Sequence, residues 1–421
     1  MRSLGDWLAY IERQHPRSIE MGLERVREVA ARLSLDAPGA QVIVVGGTNG
    51  KGSTVAFIEA IARAAGWKVG AYTSPHLLRY NERVRIDGED ASDARLVAAF
   101  EAVEAARGDT PLTYFEFGTL AALWLFQHAS LDLAVLEVGL GGRLDAVNLV
   151  DGDVSVITTV DIDHTDWLGE DREAIGHEKA GIARPWKPLV LGEVDSPSSV
   201  LRHAYAIGAN ALRLGSDFFH EPIDTDRWRW REVGTEFELP QPRLSAPAQR
   251  ANAATAIAAL RALPRGEITE DAIAHGVAHA NVPGRLQRQF LAGVEVVVDV
   301  GHNPQAAREL AAWLQANPVA GATRVVFAAL ADKDVVGVVD AFAALPLAWH
   351  LAGLDAGARA QTAEKLSSRL AATTAAGGAT HATVADALVA ARAMSRAGDR
   401  VLVFGSFHTV ADALVALHSG P

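Results

Sequence analysis

Short unbroken apolar runs alternate along this chain with stretches whose apolar residues recur every three or four positions. Val42–Val45 is one such run and reads as a buried strand. After residue 50 the pattern changes, and Val55, Ile58, Ala62 and Ala65 fall on one helical face. Residues 19–33 place Leu23, Val26, Ala30 and Leu33 in the same way and predict an amphipathic helix. Val69–Tyr72, Leu133–Leu136, Val154–Thr158 and Leu189–Leu191 read as further strands, and 92–106, 116–128 and 171–182 as helices. Thr73-Ser74-Pro75-His76 opens an irregular loop extending towards Arg85. Helices alternating with short apolar strands imply a largely parallel sheet covered on both faces. Residues 213–243 break that rhythm. Trp228–Trp230 and Glu236–Leu239 predict antiparallel strands outside the main order, after which a helix at 248–262 resumes. Asn281–Arg285 reads as a linker or domain edge, and beyond it Val294–Val300, Arg324–Ala328, Leu347–Leu351 and Val401–Phe404 are strand candidates separated by helices.

Composition narrows the classes. At 421 residues and 49% hydrophobic content the chain can fill two cores. A net charge of −12 argues against a general nucleic-acid surface, which wants clustered cations. Small anionic ligands stay open, because a few local cations and a metal can serve them. The absence of cysteine excludes disulfides, thiolate nucleophiles and thiolate zinc sites. The first residues carry Asp6, Glu12, Arg13 and Arg17 without an apolar signal core, and no apolar run reaches 18 residues. A cytoplasmic protein with no membrane partner is the expectation, and a monomer the default.

The chemistry-bearing segment is Val44-Val-Gly-Gly-Thr-Asn-Gly-Lys-Gly-Ser-Thr54. Strand, glycine-rich turn and helix start follow one another there, with Lys51 and the hydroxyls of Ser53 and Thr54. That order presents backbone N–H groups and a lysine to a polyphosphate. The spacing departs from the common phosphate loop: Gly52 separates Lys51 from the hydroxyl, and Val45 stands where the first glycine belongs. The fold expected is therefore α/β, with a P-loop-type, mostly parallel sheet domain over 1–283 and a smaller Rossmann-like α/β domain over 284–421. Glu137 ends a buried strand and precedes glycines 139, 141 and 142, a strand-end position where open α/β sheets bind ligands. It suits Mg²⁺, with a turn-capping acid as the plainer alternative. His164 follows Asp161 and Asp163 at the next strand end, where oxygen donors favour magnesium over zinc. Composition and spacing leave Lys179 an ordinary surface lysine near a helix C-terminus. In the second half, Asp299-Val-Gly-His302-Asn-Pro304 and Gly405-Ser406-Phe407 repeat the strand–glycine–polar pattern.

Together these motifs resemble the folylpolyglutamate synthase/dihydrofolate synthase family, within the Mur-ligase-type ATP-dependent amide ligases. The resemblance spans nearly the whole chain: Gly47–Ser53, Ser74-Pro-His-Leu77, Asn81-Glu-Arg83, Leu136–Ala146, Asp163-His164, Glu178–Ile182, Pro283-Gly-Arg285, Asp299–Pro304 and Gly405–Phe407 occur in family order. It implies ATP, and two Mg²⁺ ions contacted by Ser53, Glu137 and His164. It also implies a carbamylated Lys179 that organises the second ion. Nucleotide contacts are implied for Asn49, Gly50, Lys51, Gly52, Ser53, Thr54, Asn252, Arg285, Asp299 and His302. The pteridine-bearing substrate is implied near Thr73, Ser74, Pro75, His76, Arg83 and Phe115, and the incoming glutamate near His302 and Ser406. The catalytic set is then Lys51, Glu137, His164 and Lys179, the substrates dihydropteroate, tetrahydrofolate and L-glutamate, and the intermediate an acyl phosphate. Leu112–Glu116 is similar to bacterial members with both activities. The alternatives are one activity alone or a Mur-type cell-wall ligase. About 43 residues precede the loop, too few for the extra N-terminal domain such ligases commonly carry. A GTPase-like switch would need an Asn-Lys-x-Asp segment, which is missing.

Overall fold

The run at Val42–Val45 lies at the centre of a sheet, as its uninterrupted apolarity requires. The computed structural model describes residues 2–418 except Pro16, Ser18, Ser245 and Gly266. It divides into two units. One is the chain through Arg243 with Gln249–Asn281, and the other is Leu244–Ala248 with the chain from Val282 onward.

The first unit begins with α1 (Leu4–Ile11), capped by Ser3 and Asp6, and α2 (Glu24–Arg32). The helix expected over 19–33 is thus shorter. Gly22 takes φ +147° and donates its N–H to Leu144 O at 3.3 Å, so residues 19–23 are tied to a neighbouring turn instead of continuing the helix. Next come β1 (Gln41–Gly46), α3 (Lys51–Ala64) and β2 (Val69–Tyr72). The loop after β2 is more ordered than expected. It closes through a 3₁₀ turn at Tyr80–Arg83 into β3 (Val84–Ile86) and β4 (Glu89–Asp90). Helices α4 (Asp93–Arg107) and α5 (Tyr114–Gln127) lead to β5 (Leu133–Glu137) and β6 (Val154–Ile157). Then follow α6 (Thr165–Leu168), α7 (Arg172–Ala180), β7 (Pro188–Leu191), α8 (Ser198–Ile207) and β8 (Asn210–Arg213).

These strands form one sheet in the order β4-β3-β2-β5-β1-β6-β7-β8, parallel from β2 to β8 and antiparallel at the β3 and β4 edge. The register decides where the loops emerge. Val45 lies opposite Glu137 on one side and Val156 on the other, so three strand ends deliver their loops to one edge. The Trp-rich segment forms a separate antiparallel sheet of β9 (Phe218–Pro222), β10 (Arg227–Glu232) and β11 (Thr235–Pro240). Trp230 is fully buried, and its indole N–H donates to Ala254 O at 3.1 Å. Helices α9 (Gln249–Arg261) and α10 (Glu270–His279) complete the unit and pack on α3.

The second unit has its own sheet: β12 (Gln287–Leu291), β13 (Val294–Asp299), β14 (Thr323–Phe327), β15 (Leu347–Ala352), β16 (Ala379–His381) and β17 (Arg400–Phe404). Its order is β12-β13-β17-β14-β15-β16, all parallel except the β12 edge. Helices α11 (Pro304–Ala316), α12 (Val335–Asp340), α13 (Ala363–Arg369), α14 (Val384–Ala393) and α15 (Phe407–His418) accompany it. Val297, Leu310, Phe327, Phe342 and Phe404 belong to its core. Among the described residues no helix is long and apolar enough to cross a membrane.

Candidate active site

The turn after β1 needs its glycines. Gly47 takes φ +142°, and a Cβ there would meet Thr158 Oγ1 at 1.9 Å; Gly50 takes φ +88°. The residues just after β6 hold the turn open: Thr48 N–H donates to Thr159 O at 2.7 Å, Asn49 N–H to Thr159 Oγ1 at 3.1 Å, and Thr158 Oγ1 donates to Asn49 O at 2.6 Å. Lys51 opens α3 and folds back over the turn, donating from Nζ to Gly47 O at 3.0 Å and Thr48 O at 3.3 Å. An ammonium is therefore held beside the N–H groups at a helix start, the arrangement an anionic phosphate complements.

Glu137 is buried at the end of β5, and its Oε2 accepts the Ser74 N–H at 3.2 Å. That oxygen would lie 3.7 Å from a Cβ on Gly52, so the carboxylate faces the first turn of α3. Buried Ser53 accepts at Oγ from Gln249 Nε2 at 3.3 Å, and Gln249 Oε1 accepts from Asn252 at 3.1 Å. Asn252 closes on the loop, its Oδ1 lying 2.6 Å from where a Gly50 Cβ would stand. Phosphate loop, Ser53, Glu137 and Asn252 thus share one neighbourhood. A carboxylate and a hydroxyl there fit a hard divalent cation, which prefers oxygen donors. Among the described residues no three His, Cys, Asp or Glu side chains gather into a metal cluster.

Lys179 corrects its plain reading. It is 3% exposed, close to the end of α7, and not on the surface. Burial, then the positive charge of Lys51, pull its pKa down to about 7, against Asp163, Asp145 and Glu193, which raise it. The glycine turn after β5 lets α7 come this close. A Cβ on Gly142 would lie 2.9 Å from Glu178 O and 3.0 Å from Lys179 O, and Arg143 N–H donates to Glu178 O at 2.8 Å. Asp145 organises that turn, accepting from Leu140 N–H at 2.8 Å and Val147 N–H at 2.9 Å. Its burial pushes its pKa up to about 6 in spite of those bonds. His164 caps α6 with φ +53°, partly exposed, its Nε2 3.9 Å from Asp163 Oδ2.

The segment after β2 is built around two side chains. Glu82 accepts from the N–H groups of Leu77, Leu78 and Arg79 at 2.6, 2.8 and 2.7 Å. Buried Arg83 donates from Nε to His76 Nδ1 at 2.8 Å and lies over Tyr80 and Tyr114. Thr73 donates to Glu82 O, and Pro75 is exposed at the tip. Phe115 stands against the glycine turn, 2.5 Å from a Cβ built on Gly139. An apolar ring, a stacked guanidinium and exposed backbone make a wall suited to a flat, polar heterocycle.

In the second unit Asp299 ends β13 and accepts from Leu286 N–H at 2.9 Å and Gly301 N–H at 2.8 Å. His302 Nδ1 is 3.0 Å from Val300 O, and Arg285 lies over Phe407. Ser406 is buried. Its Oγ accepts the Thr409 N–H at 3.0 Å, and Thr409 Oγ1 donates to Ala328 O at 2.8 Å, so this hydroxyl serves the start of α15.

Comparison with known proteins bears directly on this arrangement. The Mur ligase middle domain model matches residues 45–258, and the Mur ligase, glutamate ligase domain model matches 284–407. The dihydrofolate synthase/folylpolyglutamate synthase of Escherichia coli K12 is 47% identical over 409 residues, covering 97% of this chain and 94% of that protein. The chain belongs to the dihydrofolate synthase/folylpolyglutamate synthase family. The solved structure of E. coli FolC in complex with DHPP and ADP matches with a TM-score of 0.94 at 45% identity, covering 99% of this chain and 98% of that one. A Yersinia pestis structure of the same bifunctional synthase, complexed with AMPPNP and Mn ion, matches at 0.91 and 44%, covering 99% and 98%. Fold class and family expectations both hold. Within this synthase family member, sequence reasoning passed over Gln249, Asp145 as a turn organiser, Glu82 and Glu193. Asp145 and Glu82 lay inside motifs already singled out. Gln249 reaches Ser53 across 196 residues, which no local pattern reveals.

Proposed function

We propose that this protein is an ATP-dependent ligase that adds L-glutamate to dihydropteroate, and to tetrahydrofolate or its γ-glutamyl chain. The observation that carries the reading is the glycine turn with Lys51 held across it, beside buried Glu137, in a chain matching bifunctional synthases along their length. A carboxylate does not condense with an amine unaided, because its oxygen leaves poorly. Its oxygen attacks the γ-phosphorus of ATP, giving an acyl phosphate and ADP. The α-amine of glutamate then attacks the acyl carbon, phosphate departs with the C–O bonding pair, and the amine proton is released as the amide forms. Lys51 and the N–H groups of Gly50–Ser53 bind and orient the phosphoryl oxygens. Mg²⁺, held by Ser53, Glu137 and His164 with the nucleotide, supplies charge neutralisation when bound.

Lys179 is assigned as a carbamate. Its neutral Nζ would attack the carbon of CO₂ and lose a proton, leaving an anion suited to a second Mg²⁺. Burial and a pKa pulled down to about 7 support this, since only the uncharged amine is nucleophilic. Asn49–Thr54, Asn252, Arg285, Asp299 and His302 are assigned to the nucleotide. Thr73–His76, Arg83 and Phe115 are assigned to the pteridine-bearing substrate, and His302 and Ser406 to glutamate. The reading takes the protein as a cytoplasmic monomer.

The test offers ATP, Mg²⁺ and glutamate with dihydropteroate, tetrahydrofolate or a cell-wall nucleotide in turn, following phosphate release and product mass. Products one glutamate heavier from both pteridine substrates are expected. Turnover of the cell-wall nucleotide alone would overturn the reading.

A further inference from the structure

Val160 lies between β6 and the segment Asp161-Ile-Asp-His164. It is 1% exposed, and side chains, rather than a neighbouring strand, hold both its backbone groups. Its N–H donates to Glu193 Oε1 at 3.0 Å, and its carbonyl accepts from Arg172 Nε at 2.8 Å. The ring closes where Arg172 Nη2 approaches Glu193 Oε2 at 3.4 Å. Arg172 Nη2 also donates to Asp195 O at 2.7 Å. The next residue is gripped from the phosphate loop: Thr48 Oγ1 accepts from Asp161 N–H at 3.0 Å and donates to Asp161 O at 3.1 Å.

The placement of the two clamping residues gives the ring its meaning. Glu193 follows β7. Arg172 is the first residue of α7, the helix that bears Lys179. One residue is therefore tied at once to the strand end on its far side, to the Lys179 helix and, through its neighbour, to the phosphate loop. A buried N–H and C=O must find partners, and here the N–H finds a carboxyl oxygen and the carbonyl a charged guanidinium, which makes the latter bond stronger than a neutral one. Gly192 makes room: a Cβ there would lie 2.9 Å from Thr158 O, so a larger residue before Glu193 would push the strand end away.

We infer that Glu193 and Arg172 are positioning residues that fix the end of β6, so that His164 is presented to a divalent cation in step with α7. This deepens the proposed function and rests on His164 being a metal ligand there. Groups that orient a ligand from behind commonly govern metal affinity by roughly 10–100-fold.

The experiment measures Mn²⁺ binding to the full-length protein saturated with ADP, by the loss of the free-ion paramagnetic resonance signal. H164A is expected to weaken binding at one site by about tenfold or more. E193A and R172A should each weaken the same site by about tenfold, and the double variant no further, because the two act through one residue. E193Q keeps an oxygen that accepts the Val160 N–H and should stay within about threefold of the parent. R172A removes a partly exposed side chain, so it reports even if E193A does not fold. Parent-like affinity in R172A and E193A alongside a loss in H164A would overturn the positioning role and leave the ligand reading standing. Unchanged affinity in H164A would overturn the ligand reading and this inference with it.

Discussion

Two lysines sense each other in the first unit and are used in opposite ways. Lys51 donates to two backbone carbonyls. Removing one well-aimed electrostatic donor from such a site costs on the order of 3 kcal/mol, or ~100-fold in rate. Lys51→Ala also deletes a full charge, so ligation at saturating ATP should fall by more than ~100-fold. Activity within a few fold of the parent would remove Lys51 from the mechanism. Lys179 holds its charge more weakly, because burial pulls its pKa down. Its pKa is about 7 when folded, against 10.5 for the ordinary side chain. Between those values the unfolded chain holds a proton the folded one lacks, so stability rises with pH across that window. Below about 7 both states are protonated and the burial penalty is complete. Urea unfolding in CO₂-free buffer from pH 7 upward should show this slope, and Lys179→Met should flatten it. Added bicarbonate should raise parent activity and leave the methionine variant unmoved. None of this was legible at Lys179 itself. A lysine near a helix end reads as exposed, and the close approach of the Gly142 turn to the α7 backbone leaves no signature at Lys179.

At the scale of elements, apolar periodicity located the strands well because β1, β5 and β6 are buried along their whole length. It failed where tertiary bonds override local preference. Residues 19–23 bind a turn in place of extending α2, and the half-exposed β8 and β12 carry too little apolar contrast to be seen. Close helix packing leads to a second prediction. Gly276 of α10 lies so near α3 that a Cβ would stand 2.5 Å from the Ile61 Cα, a backbone atom that cannot rotate away. Gly276→Ala gains about 1 kcal/mol of helix propensity but forces overpacking of about 3 kcal/mol. Chemical denaturation should show a net loss of about 2 kcal/mol. A third concerns α7 and α8. Glu173 accepts from Ser198 N–H at 2.9 Å and Ser199 N–H at 2.6 Å, and these bonds lower its pKa to about 2. A depressed carboxyl stabilises above its unfolded value of 4.5 and loses that contribution as pH falls towards 2. Glu173→Gln should reduce the midpoint at neutral pH and flatten its decline over that acid interval.

Among the described residues the molecule has three sheets, two in the first unit and one in the second, and each unit buries apolar residues of its own. Units with their own cores are expected to melt as distinct cooperative blocks, so the calorimetric enthalpy should exceed the van't Hoff value. The phosphate loop belongs wholly to the first unit. A ligand that binds only folded protein stabilises it by RT ln(1 + [L]/Kd), about 2.7 kcal/mol at a hundredfold excess over Kd. ADP with Mg²⁺ should therefore raise the midpoint of the block that contains β1 and α3, and Lys51→Ala should abolish the rise. Arg285 gives the contrast. It belongs to the second unit, where it lies over Phe407. If it also grips the nucleotide as assigned, Arg285→Ala should shrink the ADP-induced shift while leaving the ligand-free melt nearly unchanged. A full-sized shift in Arg285→Ala would confine nucleotide recognition to the first unit, and a full-sized shift in Lys51→Ala would show that the loop does not hold the phosphates.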